Sequence, residues 1–184
     1  MDFLTSQQLS AEAWQPQQKL SELIDWMFGR VPNHVGAAKL LEAAELLLAK
    51  GQHELALRKC FSPVAHAGLL VQGDERWEKA AADKVQGPCL EVDRTRMHVQ
   101  ALFGVARCDI ALLLQLDPTV CQRQTLADLL DALERLREAT QIALQRDESL
   151  YWLVLNGTIY IHQASVPIAA AGHAARVVEF LVFA

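Results

Sequence analysis

Residues 119–146, TVCQRQTLADLLDALERLREATQIALQR, decide the fold. Leucines recur along this stretch at intervals of three and four residues, which is the spacing of one face of an α-helix. Charged side chains fall on the other face, which we interpret as a solvated surface. The predicted buried stripe is Leu126, Leu129, Leu130, Leu133 and Leu136, and the charged face is Asp128, Asp131, Glu134, Arg135, Arg137 and Glu138. The stretch therefore predicts one long amphipathic helix.

Helical spacing recurs on both sides of this stretch. Residues 68–93 differ, because they contain Gly73, Gly87 and Pro88. They are predicted to form a long loop with one short helix around 77–85. Other helices are predicted at 16–29, at 35–50, from 53 to a bend or end at Pro63, at 94–116, at 149–171 and from 174 onward. The prediction is an all-α fold with at least five helices and no sheet.

The composition fits one domain with a sizeable core. Of the 184 residues, 52% are hydrophobic and 21% are charged, which is far from the disordered class. We predict a flexible polar arm at residues 1–15 and a single helical repeat-like domain at 16–184. The net charge of −5, without a basic cluster, argues against nucleic-acid binding and against direct contact with acidic tubulin tails.

Two predicted hairpins share a local pattern. In the first, the helix that begins before Leu40 ends at Gly51, and Ala56 follows five residues later. In the second, Gly172 ends the helix, and Val177 takes the place of the small residue. The pattern resembles tetratricopeptide hairpins, which stack because one hairpin cannot bury its faces alone. The predicted architecture is helical hairpins stacked as a tetratricopeptide-like solenoid, with an irregular bundle as the alternative.

The run from Ser149 to Ala175 contains no Asp, Glu, Lys or Arg. It is long enough to span a bilayer, but Asn156, His162 and Pro167 interrupt it. The amino terminus also lacks the basic and apolar regions of a secretory signal. We predict a soluble core hairpin with a turn at 172–173 and no membrane contact. The preceding helices are expected to cover only part of this apolar hairpin.

Side chains with catalytic or metal-binding potential do not form a recognisable site. His53-Glu54 opens like a zinc-protease motif, but Leu57 stands where a second His would have to ligate the metal. We interpret Cys60 as a core cysteine and His66 as a surface histidine rather than as a dyad. The prediction is therefore no enzyme activity and no catalytic, cofactor-binding or metal-binding residue.

Three further patterns are interpreted structurally. The cysteines Cys60, Cys89, Cys108 and Cys121 are irregularly spaced, which predicts free thiols in a reducing compartment. The tryptophans Trp14, Trp26, Trp77 and Trp152 are scattered and are expected to anchor packing. In the triplet 156–158, Asn-Gly-Thr, the glycine is predicted to let a neighbouring helix approach and the threonine to bond back to the backbone.

Residues 149–162, SLYWLVLNGTIYIH, resemble a segment of the cilia- and flagella-associated protein 54 family. In that family an aromatic-rich run leads into Asn-Gly-Thr-Ile-Tyr-Ile, followed by Gly and a helix of the form Lys-x-x-Glu-aromatic-Leu. The same order is kept here by Gly172, Arg176, Glu179, Phe180 and Leu181. Pro167, Val177 and the alanines at 169–171 depart from it, and Pro167 puts the straightness of the helix in doubt. A weaker resemblance at 40–60 extends the match to residues 38–184.

The resemblance implies an amino-terminal-region fragment of a very long, mostly helical protein of the axonemal central apparatus. It implies a non-catalytic scaffold that helps to assemble a central-pair projection and supports ciliary motility, located in cytoplasm, cytoskeleton and axoneme. The implied partners are other projection proteins, with microtubule association indirect and with no nucleic acid and no membrane. A helical-repeat adaptor outside cilia is the alternative. Because no cap follows the last helix at 183–184, the chain is expected to be truncated there.

Overall fold

The computed structural model describes Glu22, Ile24 and residues 33–66 and 87–184. Within these residues every regular element is helical and no strand occurs. The prediction of an all-α fold with at least five helices is therefore confirmed. The predicted arm at 1–15, the helix at 16–29 and the short helix at 77–85 lie outside the described residues, apart from Glu22 and Ile24.

The first hairpin has the predicted cap between its helices. Helix α1 spans Asn33–Ala49, and Gly51 follows it with a φ of 71°. The N–H of Gln52 donates to the carbonyl of Leu47 at 2.9 Å, and that of Gly51 donates to Leu48 at 2.9 Å. These two bonds form a Schellman motif, in which glycine takes the left-handed conformation at least cost.

Helix α2 continues past Pro63, which was predicted to bend or end it. It consists of three consecutive segments: His53–Leu55, the π-helical Ala56–Phe61, and Ser62–His66. The N–H of Ser62 donates to the carbonyl of Leu57, five residues back. This widened turn directly precedes Pro63. The helix therefore continues through a position at which, in a regular α-helix, the proline would remove one backbone hydrogen bond and its ring would clash with the preceding turn.

Helix α3 spans Gly87–Leu116, so it begins before residue 94, where the sequence placed its start. Gly87 and Pro88, which were predicted to be loop residues, lie in its first turn. Proline is well tolerated in the first turn of a helix, because the N–H it lacks would have no intrahelical partner there. The predicted end at Asp117-Pro118 is confirmed.

The turn after α3 delays the next helix. Helix α4 spans Arg123–Arg146 and does not begin at 119 as predicted. The Asp117 carboxylate accepts the N–H groups of Cys121 at 3.1 Å and Gln122 at 2.8 Å. Val120 adopts a φ of 52°, which is not helical. The side-chain bonds of Asp117 thus hold 117–122 as a turn in competition with the helix.

Asp117 makes the stability of this turn depend on pH. The N–H of Gln122, followed by that of Cys121, lowers the pKa of its carboxyl. A lowered folded-state pKa means that the ionised carboxylate stabilises the fold above the ordinary Asp value of about 4, and that this contribution disappears as the pH falls through the folded value. We therefore expect Asp117→Ala to destabilise the chain more at neutral than at acidic pH.

Urea unfolding of Asp117→Ala near pH 7 and near pH 3 tests this linkage. The matched control is Asp131→Ala, which removes an exposed carboxylate with no bond to a backbone N–H among the described residues. The expected result is a loss for Asp117→Ala that shrinks at the lower pH and little change for the control. An equal loss at both pH values would contradict the role given to the carboxylate.

The buried and exposed faces of α4 follow the predicted helical period, but the residues at the borders between the two faces are half-buried. Leu129, Leu133 and Leu136 are fully buried, whereas Leu126 and Leu130, both predicted to be buried, are only half-buried. On the face predicted to be solvated, Asp128, Glu134, Arg135 and Arg137 are also half-buried. Arg135 is partly covered because it pairs with Asp109 of α3 at 2.7 Å, and Glu134 pairs with Arg137 of α4 itself at 2.6 Å. Three other predictions are confirmed, for the buried Leu47 and Leu153 and the exposed Glu138.

The last hairpin has its predicted turn. A 3-10 turn, Glu148–Leu150, leads into α5, Tyr151–Ile168. A π-helical segment, Ala169–His173, contains Gly172 with a φ of 90°, and α6 spans Ala174–Phe183. The chain therefore reverses where the glycine permits a left-handed backbone. Pro167 lies inside α5 without ending it.

Two buried clusters share α3 as their common wall. Residues of α1 and α2 pack with one face of α3, and residues of α4, α5 and α6 pack with another. The main contacts then run in chain order, from α3 to α4, α4 to α5 and α5 to α6. The face toward α1 and α2 carries Met97, Ala101, Val105 and Cys108, and the face toward the later helices carries Val99, Phe103 and Ala106. The architecture is one of helical hairpins packed in sequence.

Candidate protein-interaction surfaces

The Asn-Gly-Thr triplet holds α5 close to its neighbours, as predicted. A Cβ on Gly157 would overlap Thr140 Oγ1 of α4 and lie 3.0 Å from Phe103 Cζ of α3. Thr158 Oγ1 donates to the carbonyl of Leu155 at 2.8 Å. Gly157 therefore permits an approach that any larger side chain would prevent, and the predicted bond of Thr158 to the backbone is confirmed.

Tyr160, in the same segment, connects three helices. Its ring lies edge-to-face with Phe103, with centroids 5.5 Å apart and planes at 74°. The Arg107 guanidinium lies 4.5 Å from the Tyr160 ring centroid and also pairs with Glu45 of α1 at 3.0 Å. The contacts of α1, α3 and α5 thus meet at Arg107, and cation–π attraction adds to the apolar packing.

The thiols expected in the core are buried there and lack the environment of a nucleophile. Cys60 and Cys108 are both buried, and both are free thiols, as is the exposed Cys121. Burial raises the pKa of Cys60 to about 11, and burial together with Asp109 raises that of Cys108 to about 12. A protonated buried thiol is inert, because the thiolate is the reactive form.

No metal-binding group emerges around the histidines that the sequence singled out. His53 and His66 lie at the two ends of α2. Burial, and then the nearby His66, lowers the pKa of His98. Within the described ranges no three His, Cys, Asp or Glu side chains are grouped so as to hold a metal ion. The absence of an enzyme activity stays a prediction.

The most conspicuous surface is a bare apolar face on α5 and α6. Its residues recur along one side of α5 at helical spacing, and a second group follows on α6. The exposed fraction reaches 61% for Leu155 and 81% for Val182. The face consists of Tyr151, Trp152, Leu155, Ile159, Val166, Val178, Leu181 and Val182, and it is called the apolar face below. Trp152, expected to anchor packing, is an exposed member of it.

The apolar face belongs to a segment that could cross a membrane by length and composition alone. In the part of the chain that the structure describes, two segments meet that criterion, Val92–Leu116 and Glu148–Phe183. The two segments differ in burial, because 44% of the most hydropathic stretch of the first and 17% of that of the second is buried. The first is a core helix, a common source of such a match. The second has the partial coverage predicted from the charge-free run.

A second surface is a groove between the last turns of α3 and the middle of α4. It encloses about 660 Å³ and has leucines of α3 as its floor. Carboxylates of both helices surround it, and the only guanidinium among its lining residues is that of Arg135. The groove is lined by Asp109, Leu112, Leu113, Leu116, Asp128, Asp131, Glu134, Arg135 and Glu138, and it is called the acidic groove below. From the sequence, most of these charges were predicted to lie on a solvated face. The leucines of α3 that face them could not be identified without knowing that α3 packs against α4.

These features define a class, an all-α protein of sequentially packed helical hairpins with two chemically unlike exposed surfaces. Comparison with known proteins gives the family. Residues 13–184 match the sequence profile described as Cilia- and flagella-associated protein 54. The chain is also 33% identical over 167 residues to Cilia- and flagella-associated protein 54 of Chlamydomonas reinhardtii, covering 90% of this chain.

Two mammalian relatives give the same result. The proteins of that name from Mus musculus and Homo sapiens are 28% and 27% identical to the chain, each over 84% of its length. The match spans 5% of the length of each of these relatives, and no solved structure matches the chain. The chain belongs to the cilia- and flagella-associated protein 54 family, within its amino-terminal region, and is a cilium- and flagellum-associated protein.

Proposed function

We propose that this chain is a non-catalytic structural segment of the ciliary axoneme. In this proposal it lies in the central apparatus, helps to assemble a projection on one central-pair microtubule and thereby supports ciliary motility. Its partners are other proteins of the projection, and its association with the microtubule is indirect. Family membership supports the ciliary location, and the net charge of −5 disfavours direct contact with acidic tubulin tails.

The apolar face is the observation that carries the structural part of the proposal. Its side of α5 presents no Asp, Glu, Lys or Arg, and the exposed polar side chains between Ile159 and Val166 are the uncharged His162 and Gln163. Large exposed apolar patches mark sites that other protein surfaces cover. The matched relatives are far longer than this chain, and in a protein of such length further helices are available. We propose that following helices cover this face, as one hairpin covers the next in a helical array.

A helical adaptor outside cilia is the second candidate. The observation that favours it is the α1–α2 hairpin, in which Gly51 forms the turn and Ala56 is fully buried. That arrangement is the tetratricopeptide-like pattern of the sequence, and such hairpins serve many complexes. Cellular location separates the two candidates, since only the first requires presence in the axoneme.

Detergent-extracted axonemes test the proposal. Cilia of the source organism would be isolated, stripped of membrane with non-ionic detergent and probed with an antibody against residues 123–184. We expect the protein to remain with the axoneme, in the fraction that holds tubulin. Release into the detergent extract with a ciliary membrane marker would favour a membrane protein instead. Absence from isolated cilia would favour the adaptor, and either result would contradict the proposal.

A further inference from the structure

The acidic groove combines two recognition features that a solvated charged face lacks. Its floor is apolar and open, since Leu116 is 83% exposed and Leu112 and Leu113 are half-buried. Its rim carries five carboxylates and one guanidinium. A floor of leucine excludes water from a bound surface, and a rim of one charge sign orients and selects the partner. The groove is thus shaped for an occupant with an apolar stripe and a charged flank beside it.

The charges that remain available on the rim can be identified from the ion pairs. Asp109 is neutralised by Arg135, and Glu134 by Arg137. Asp128 accepts a hydrogen bond from Gln124 at 2.8 Å, which leaves its negative charge uncompensated. Asp131 and Glu138 are exposed, and among the described residues neither carboxylate has an ion-pair partner.

The shape of the groove selects the secondary structure of the occupant. Asp128 and Glu138 lie ten residues apart on α4, about 15 Å along a helix axis. Along α3, Asp109 and Leu116 lie about 10 Å apart. The Arg135–Asp109 pair joins the two walls at one end. A groove between two packed helices that extends for two to three turns matches a third helix lying on their ridges.

We propose that the acidic groove binds a basic amphipathic helix of a partner protein. The apolar stripe of that helix lies on Leu112, Leu113 and Leu116, and its Lys or Arg side chains face Asp128, Asp131 and Glu138. This inference rests on the proposed role of the chain as a protein-binding structural segment and names the chemistry of one partner. The apolar face, which presents no charge along α5, is a separate surface with a different kind of occupant.

A synthetic peptide supplies the probe. It has about 14 residues, roughly four helical turns, with leucines at intervals of three and four and lysines on both flanks of that stripe. Fluorescence anisotropy of the labelled peptide would be measured with the 184-residue chain. We expect saturable binding that weakens as salt is added, because ion pairing at an exposed rim is screened. A peptide with every lysine replaced by glutamate is expected not to bind.

Matched variants of the chain show where the peptide lies. Asp131→Lys with Glu138→Lys reverses two of the three uncompensated rim charges, and we expect it to weaken binding about tenfold or more. The control, Glu148→Lys with Glu179→Lys, makes the same change in net charge at exposed positions outside the groove. Leu116→Ser tests the floor against Leu46→Ser, another highly exposed leucine. Circular dichroism would establish that each variant keeps its helix content.

The outcomes decide the inference. Selective weakening by both groove variants, with the two controls near the unmodified chain, supports it. Equal weakening by groove and control variants would show general attraction to an acidic chain, and no binding by the unmodified chain would remove the site; both results overturn the inference. Because the axonemal fractionation does not involve this peptide, failure of the groove and failure of the ciliary role can be told apart.

Discussion

Gly104→Val is expected to cost the chain at least about 3 kcal/mol of unfolding free energy. A Cβ on Gly104 would overlap the ring of Phe61, which is itself 1% exposed and packed among α1, α2 and α3. A buried ring cannot swing aside, so the two helices would have to separate. Typical domains have about 5–15 kcal/mol in total, and we therefore expect a large fall in the urea midpoint followed by circular dichroism.

The control and a double-mutant cycle isolate the cause. Gly36 has no atom within 4 Å of a built Cβ, and Gly36→Ala is expected to raise stability by about 0.5–1 kcal/mol through helix propensity. Phe61→Ala alone is expected to cost about 3–5 kcal/mol. The double variant Phe61→Ala with Gly104→Ala should lose less unfolding free energy than the two single variants lose in sum, since the new methyl group at position 104 enters the space of the lost ring. A Gly104→Val chain that unfolds at the normal midpoint would contradict the packing of α2 on α3.

The isolated 184-residue chain is expected to self-associate through its apolar face. Leu155→Lys with Val166→Lys places two charges within the stripe on α5, and we expect this variant to behave as a monomer of 20.4 kDa. Both positions are more than half exposed, so the substitutions leave the core intact. Burying an unpaired ammonium in a self-made interface is costly, and association is therefore lost.

Light scattering over a range of protein concentrations measures this effect. The control is Leu46→Lys with Leu116→Lys, which replaces two leucines that are more exposed than Leu155 but lie outside the apolar face. We expect the control to associate as the unmodified chain does. A chain that is monomeric at high concentration without any substitution would show that the face needs no cover, and the proposal of further packing helices would be wrong.

Sequence patterns predicted the features that depend on local spacing. The leucine stripe of 119–146 gave the correct inward face at Leu129, Leu133 and Leu136. Glycines gave two chain reversals, because Gly51 and Gly172 both adopt positive φ. The bare side of the last hairpin was also predictable, since a charge-free run needs more apolar neighbours than the preceding helices provide. In these cases the residue pattern within one helix or turn was sufficient for the prediction.

Apart from the close approach at Gly157, features that depend on two elements were missed. The half-burial of Arg135 follows from its pairing with Asp109 on another helix, and no pattern within α4 shows it. Gly104 carried one signal, a lone glycine in an apolar helix, which often marks close packing. The ring that requires it lies on α2 and could be named only from the fold. The acidic groove could be found only from the pairing of α3 with α4, because its lining residues lie on both helices.

The proposed role of the chain as a structural part of a central-pair projection can be tested in cells. Cryo-electron tomography of axonemes from cells that lack the protein tests it most directly, with cells re-expressing it as the control. We expect density to be missing from one microtubule of the central pair, beating to be impaired, and re-expression to restore both. A complete central apparatus with normal beating in the deficient cells would contradict it.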